Sequence, residues 1–118
     1  FEKGQPWPLE RRDGFRKVPG AGTGFMLLKR AVPEKMAEMG VALPVPDFNG
    51  PGYPDANFHD FFSHLRGREG GVMHGEDTSF CRRWVAGCGG DIWCYEASRI
   101  THHGHLAFLG DYGLVDKP

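Results

Sequence analysis

The sequence predicts an α/β or α+β fold: a small mixed sheet with two or three helices packed on it. Three observations lead there. Val32, Met36 and Met39 recur at helical spacing behind Pro33 and ahead of Gly40, which predicts a helix over 32–39. Phe80, Trp84 and Val85, joined by Cys81 and Cys88, form an apolar stripe that predicts a second helix over 77–87, stopped by Gly87, Gly89 and Gly90. Asp91 to Tyr95 alternates as a half-buried strand does, and the chain holds 18 glycines, too many for a helical bundle.

The remaining elements follow in chain order. Residues 1–20 read as an irregular lead-in with a short strand near Phe15 to Val18, ahead of a single domain that takes in the whole of 1–118. Phe25-Met-Leu-Leu28, ended by Lys29-Arg30, reads as a buried strand over 23–29. Proline and glycine crowd 41–57 into a long loop. Phe58, Phe61, Phe62 and Leu65 have helical spacing, which predicts a short amphipathic helix over 57–66 before the turn at Gly67 to Gly71. Another strand is expected near 98–101. The expected core is Phe25, Leu27, Met36, Phe80, Trp84 and Ile92, with Trp93 beside it.

Composition narrows the classes of function. A net charge of −1 and a pI near 6.6 give no basic surface for nucleic acid. The longest apolar run is far too short to span a bilayer. The three cysteines cannot all pair within one chain, so reduced thiols in a cytoplasmic protein are expected.

Several groups could carry chemistry. Glu76 and Asp77 fall at the start of the second helix, where the dipole favours their charged forms. A carboxylate there serves as general base if it faces a cleft, or only caps the helix, and the dipeptide alone favours the cap. Thr101-His102-His103-Gly104-His105 concentrates imidazoles beside a glycine; the alternatives are a metal or phosphate site and a solvated polar loop, and the first is slightly favoured because loop histidines beside glycine have little packing role. Cys81, Cys88 and Cys94 with His102 or His105 would make a zinc set. They lack a C-x2-C knuckle, and core packing is the better expectation. Gly20-Ala-Gly-Thr-Gly24 has no following Lys-Ser/Thr and precedes a predicted strand, so it suits close backbone approach to a neighbour or ligand rather than a P-loop.

Taken together, these segments resemble one family pattern. Gly22-Thr-Gly-Phe-Met-Leu-Leu-Lys-Arg30 is similar to the G-x-G-F-M-L-[IL]-[KR]-R strand of inverting, family 2-like GT-A glycosyltransferases. Gly75-Glu-Asp-Thr-Ser-Phe-Cys-Arg-Arg-Trp84 resembles their x-E-D-x-x-F-C-R-R-W segment. Gly89-Gly-Asp-Ile-Trp93 resembles the G-G-x-I-W that follows, and Ile100-Thr-His-His-Gly104 through Phe108-Leu-Gly-Asp111 the closing H-x-G … F-x-G-D. Order and spacing agree over 20–111.

The resemblance implies the C-terminal, acceptor-side half of a GT-A domain. It makes Asp77 the base that deprotonates an acceptor hydroxyl and Glu76 a residue that holds the acceptor. Gly22, Thr23 and Gly24 would line the pocket of a nucleotide-sugar donor. His102 would bind a divalent metal, Mn or Mg, on the donor diphosphate. The family's N-terminal βαβ portion carries a D-x-D metal motif, and this sequence has no D-x-D. A completing chain, or further sequence, is therefore expected to supply the nucleotide grip. The exposed edges of a partial fold favour a homo-oligomer. Two other classes compete: a non-catalytic module that binds carbohydrate or metal, and a small structural protein in which Glu76 and Asp77 only cap a helix.

Overall fold

The computed structural model describes residues 10–46, 58–67, 71–105 and 107–111, with the side chains of 102 and 107–111 outside that description. The described residues form a mixed α and β structure with small sheets and two α-helices. The chain divides into two compact units, Pro19–Ile92 and a second made of Phe1–Val18 with Trp93–Pro118.

In the unit made from the two ends of the chain, β1 (Arg11–Arg12) and β2 (Phe15–Val18) pair antiparallel, with Arg12 opposite Phe15. Asp13 and Gly14 between them both have positive φ, 51° and 82°. A two-residue hairpin needs that conformation to match strand twist, and Asp-Gly adopts it at low cost. The hairpin corrects the expected irregular lead-in as far as it concerns residues 10–18; residues 1–9 lie outside the described residues. β5 (Ile92–Tyr95) extends this sheet in the order β1-β2-β5. Glu96 locks the arrangement: its carboxylate accepts from Arg16 Nε at 2.9 Å and from Arg11 Nε at 3.1 Å. Phe15 lies against the Tyr95 ring at 5.1 Å. A separate hairpin joins β6 (Arg99–His103) to β7 (Ala107–Asp111).

The central unit holds the helices. The first, α1 (Ala31–Glu38), ends as the sequence predicts. Gly40 takes φ 70°, its N–H bonds Ala37 O, and Val41 N–H bonds Met36 O. This is the Schellman closure that a left-handed glycine permits. The second, α2 (Glu76–Arg82), runs into a π-helical turn, Arg83–Gly87, covering the expected 77–87. Trp84 then folds back over Gly90, and its indole N–H donates to Asp91 O at 3.0 Å. Met36, Ala42, Phe80, Cys81 and Cys88 form the core, with Met26, Val32, Val41, Phe61, Trp84 and Ile92 packed round it.

Two expected elements are absent. Residues 23–29 form no strand: Thr23–Phe25 is a 3-10 turn, and no strand among the described residues pairs with the segment behind it. A strand exists only through a partner's hydrogen bonds, and without one Phe25 and Leu27 stand 84% and 95% exposed rather than in the core. The sheet therefore differs from the expected grouping of 23–29, 91–95 and 98–101. Residues 58–66 form no helix either. β4 (His59–Asp60) pairs antiparallel with β3 (Leu43–Pro44). Beyond it the backbone groups are claimed by side chains: Phe61 O and Ser63 O by Arg83, Ser63 N–H by Asp60, and Leu65 N–H by Ser79. Those bonds replace the i to i−4 ladder that helical spacing alone suggests. Of the long loop expected over 41–57, residues 47–57 lie outside the described residues.

Candidate functional site

The start of α2 and the glycine-rich segment before the 3-10 turn meet in the central unit. Gly75 precedes the helix in extended conformation, and no side chain caps it. Glu76 is exposed and Asp77 half-buried in the first turn. The Asp77 carboxylate does not fold back onto its own helix's amides. Its Oδ1 instead accepts a hydrogen bond from the Thr23 hydroxyl, contributed from 54 positions away.

Two contacts place Thr23 there. Ala21 offers both its N–H and its carbonyl to the Cys81 sulfur, each at 3.4 Å, one turn along α2 from Asp77. Gly20 lies where a β-carbon would rest 3.5 Å from Cys81 Cβ. Burial pushes the Cys81 thiol above its ordinary range, the Ala21 amide opposes that shift, and the Asp77 charge adds to it. A neutral sulfur then packs against the backbone as a small hydrophobe with weak hydrogen-bonding capacity. The close backbone approach expected at Gly20 to Gly24 is thus an approach to α2.

Gly22 is exposed, and a β-carbon on it would meet a single atom of the described residues within 4 Å: Asp77 Oδ2, at 3.6 Å. One carboxylate oxygen is held by a hydroxyl, while the other borders the exposed Gly22. An ionised carboxylate so placed can accept a proton from a hydroxyl lodged beside it. Gly24 has open space where its side chain would be.

The other expected site residue, His102, lies in β6 with its backbone opposite Phe108, and its side chain is outside the described residues. It belongs to the other compact unit. Among the described residues no three His, Cys, Asp or Glu side chains gather as they would around a metal ion. Cys81 and Cys88 are buried in the core, which suits packing rather than the zinc set weighed for them.

Arg83 is a structural residue that motif reading passes over. It is 8% exposed and donates to Val41 O at 3.0 Å, Phe61 O at 3.3 Å, Ser63 O at 2.8 Å and the Ser63 hydroxyl at 2.6 Å. It ties α2 to the two segments that flank β3 and β4. Its position three residues after Phe80, on the apolar stripe, is the signal that distinguishes it from exposed Arg82. Ser79 is fully buried and does similar work, accepting from Leu65 N–H and donating to His74 O.

No protein-family model, curated protein or solved structure matches this chain. No helix among the described residues is long and apolar enough to cross a membrane.

Proposed function

We propose that this chain is the acceptor-side portion of an inverting glycosyltransferase of GT-A type, with Asp77 as its general base. The observation that carries the reading is the meeting of two separate motifs: the Thr23 hydroxyl on Asp77 Oδ1, and exposed Gly22 beside Oδ2, which would lie 3.6 Å from a β-carbon there. In the proposed reaction the acceptor hydroxyl gives its proton to Asp77. Its oxygen attacks the anomeric carbon of the donor sugar, and the nucleoside diphosphate leaves from the opposite face with the bonding electrons. Glu76, exposed one residue earlier, would hold another hydroxyl of the acceptor.

A divalent metal would neutralise the leaving diphosphate. His102 would be one ligand, and Mn or Mg takes several oxygen ligands besides. The sequence has no D-x-D, so the reading assigns the rest of the metal and nucleotide grip to a completing chain or to further sequence.

Calorimetry with Mn, with and without UDP, and transfer from UDP-sugars to a glycan array test the proposal. Asp77→Asn keeps the Thr23 bond through its amide oxygen, so folding should survive while transfer falls by roughly 10²- to 10⁴-fold, the usual contribution of a general base. Asp77→Asn transferring at the wild-type rate would refute the base. Glycan binding without transfer would exclude a stand-alone transferase and favour the class of carbohydrate-binding modules. Neither heat, binding nor transfer would leave a structural protein.

A further inference from the structure

The two oxygens of Asp77 have different surroundings, and the difference has a use. Oδ1 is taken by the Thr23 hydroxyl, which limits rotation of the carboxylate about its last bond. Oδ2 borders the place where a side chain on residue 22 would start, and, chain neighbours aside, the described residues put no other atom within 4 Å of that place. Gly22 has φ −66° and ψ 146°, ordinary extended backbone that any residue adopts. Backbone strain therefore does not require glycine there, and neither does packing, because a β-carbon at 3.6 Å from its nearest neighbour is in ordinary contact. What a side chain at 22 would do is cover Oδ2.

We infer that Gly22 and Thr23 serve the acceptor rather than the donor: Thr23 is a positioning residue that holds Oδ1, and Gly22 keeps the approach to Oδ2 clear for the acceptor hydroxyl. The inference rests on Asp77 being the base of the proposed transfer. It also parts from that reading's family pattern, in which residues 22–24 line the donor-sugar pocket. A hydroxyl donor of fixed direction suits the task, because an aspartate free to turn presents either oxygen and loses alignment with the attacking atom. Serine retains that donor, and valine keeps the shape of threonine without it.

Two measurements on the full chain separate this inference from the reading beneath it. The first needs no activity. Carbodiimide coupling of glycinamide to Asp77, followed by mass spectrometry, reads access to its carboxylate, with exposed Glu76 as the internal control. Gly22→Val should slow labelling of Asp77 severalfold and leave Glu76 unchanged, Gly22→Ala should do so less, and Thr23→Val should speed it. Unchanged Asp77 labelling in Gly22→Val would overturn the inference whatever the enzyme does.

The second measurement is transfer from UDP-sugars to methyl glycosides in the presence of Mn. Gly22→Ala, with an unfolding midpoint like the wild type, should raise the acceptor KM severalfold at constant donor KM. Thr23→Val should lower kcat about tenfold, and Thr23→Ser should restore it. A raised donor KM with acceptor KM intact would return residues 22 and 23 to the donor pocket and overturn the inference. Wild-type protein that transfers nothing, with the labelling pattern as expected, would show that this chain alone is not a transferase, while the guarded approach to Oδ2 stands.

Discussion

Replacing Arg83 by methionine should be among the most damaging single changes in the central unit. The guanidinium is buried and satisfied by three carbonyls and one hydroxyl, from Val41, Phe61 and Ser63. Methionine keeps most of the volume and removes every donor. Hydrogen bonds from a charged donor contribute about 1.5–3 kcal/mol each, and they do not add when one side chain makes them all. Against that loss stands the relief of a desolvated charge, several kcal/mol in the other direction. Ser63 is exposed, so water can reach its groups, whereas Val41 O and Phe61 O belong to half-buried residues. We expect a net loss of roughly 3 kcal/mol, which at about 4 °C per kcal/mol for a chain of this length lowers the midpoint by ~12 °C. Arg83→Lys should recover less than half of it, because an ammonium is a compact point charge that does not span a fork of separated acceptors. Urea unfolding followed by far-ultraviolet circular dichroism measures both variants. A loss under about 0.5 kcal/mol in Arg83→Met, the range of an ordinary surface substitution, would refute the clamp.

Three further outcomes are expected. Gly90→Ala would set a methyl into the Trp84 ring, so the indole must leave its place and its bond to Asp91 O; a loss of about 2–4 kcal/mol is expected in chemical unfolding, and a neutral result would show that the ring is not packed there. Asp60 is held below its ordinary value of 3.8 mainly by the Ser63 hydroxyl, against partial desolvation, with the Ser63 amide and the Arg83 charge helping. Because its folded value is depressed, its contribution is present above 3.8 and lost as pH falls through the folded value, so the stability advantage of wild type over Asp60→Asn should shrink on acidification below about 4; an advantage that does not change with pH would contradict this. Iodoacetamide at mildly alkaline pH should modify half-buried Cys94 well before Cys81, whose thiol burial pushes up; mass spectrometry showing Cys81 reacting first would contradict the packed sulfur.

The sequence by itself determined the elements whose signals are local. Val32, Met36 and Met39 before Gly40 specify α1 and its end, since a left-handed glycine closes the last turn without outside help. The stripe at 80, 84 and 85 specifies α2 and the turn after it, and alternation specifies β5. Asp13-Gly14 carried the hairpin signal as well, though surrounding charge obscures it. The residues of the candidate site were also legible as types: a carboxylate pair at a helix start and a glycine-rich segment far upstream.

Only the tertiary structure decided what required a partner. Phe25 to Leu28 is an apolar run, and whether such a run is a strand depends on a neighbouring edge that no local pattern records. The helical spacing over 58–65 lost to Arg83, Ser79 and Asp60, which bind its backbone from outside or across a turn. The place of Arg83 on the apolar face was legible, but the three carbonyls that converge on it come from segments brought there by the fold. The pairing of Thr23 with Asp77 belongs to the same kind, because a hydrogen bond between groups 54 positions apart depends on how the chain returns through space, and hydrophobic periodicity specifies faces rather than returns.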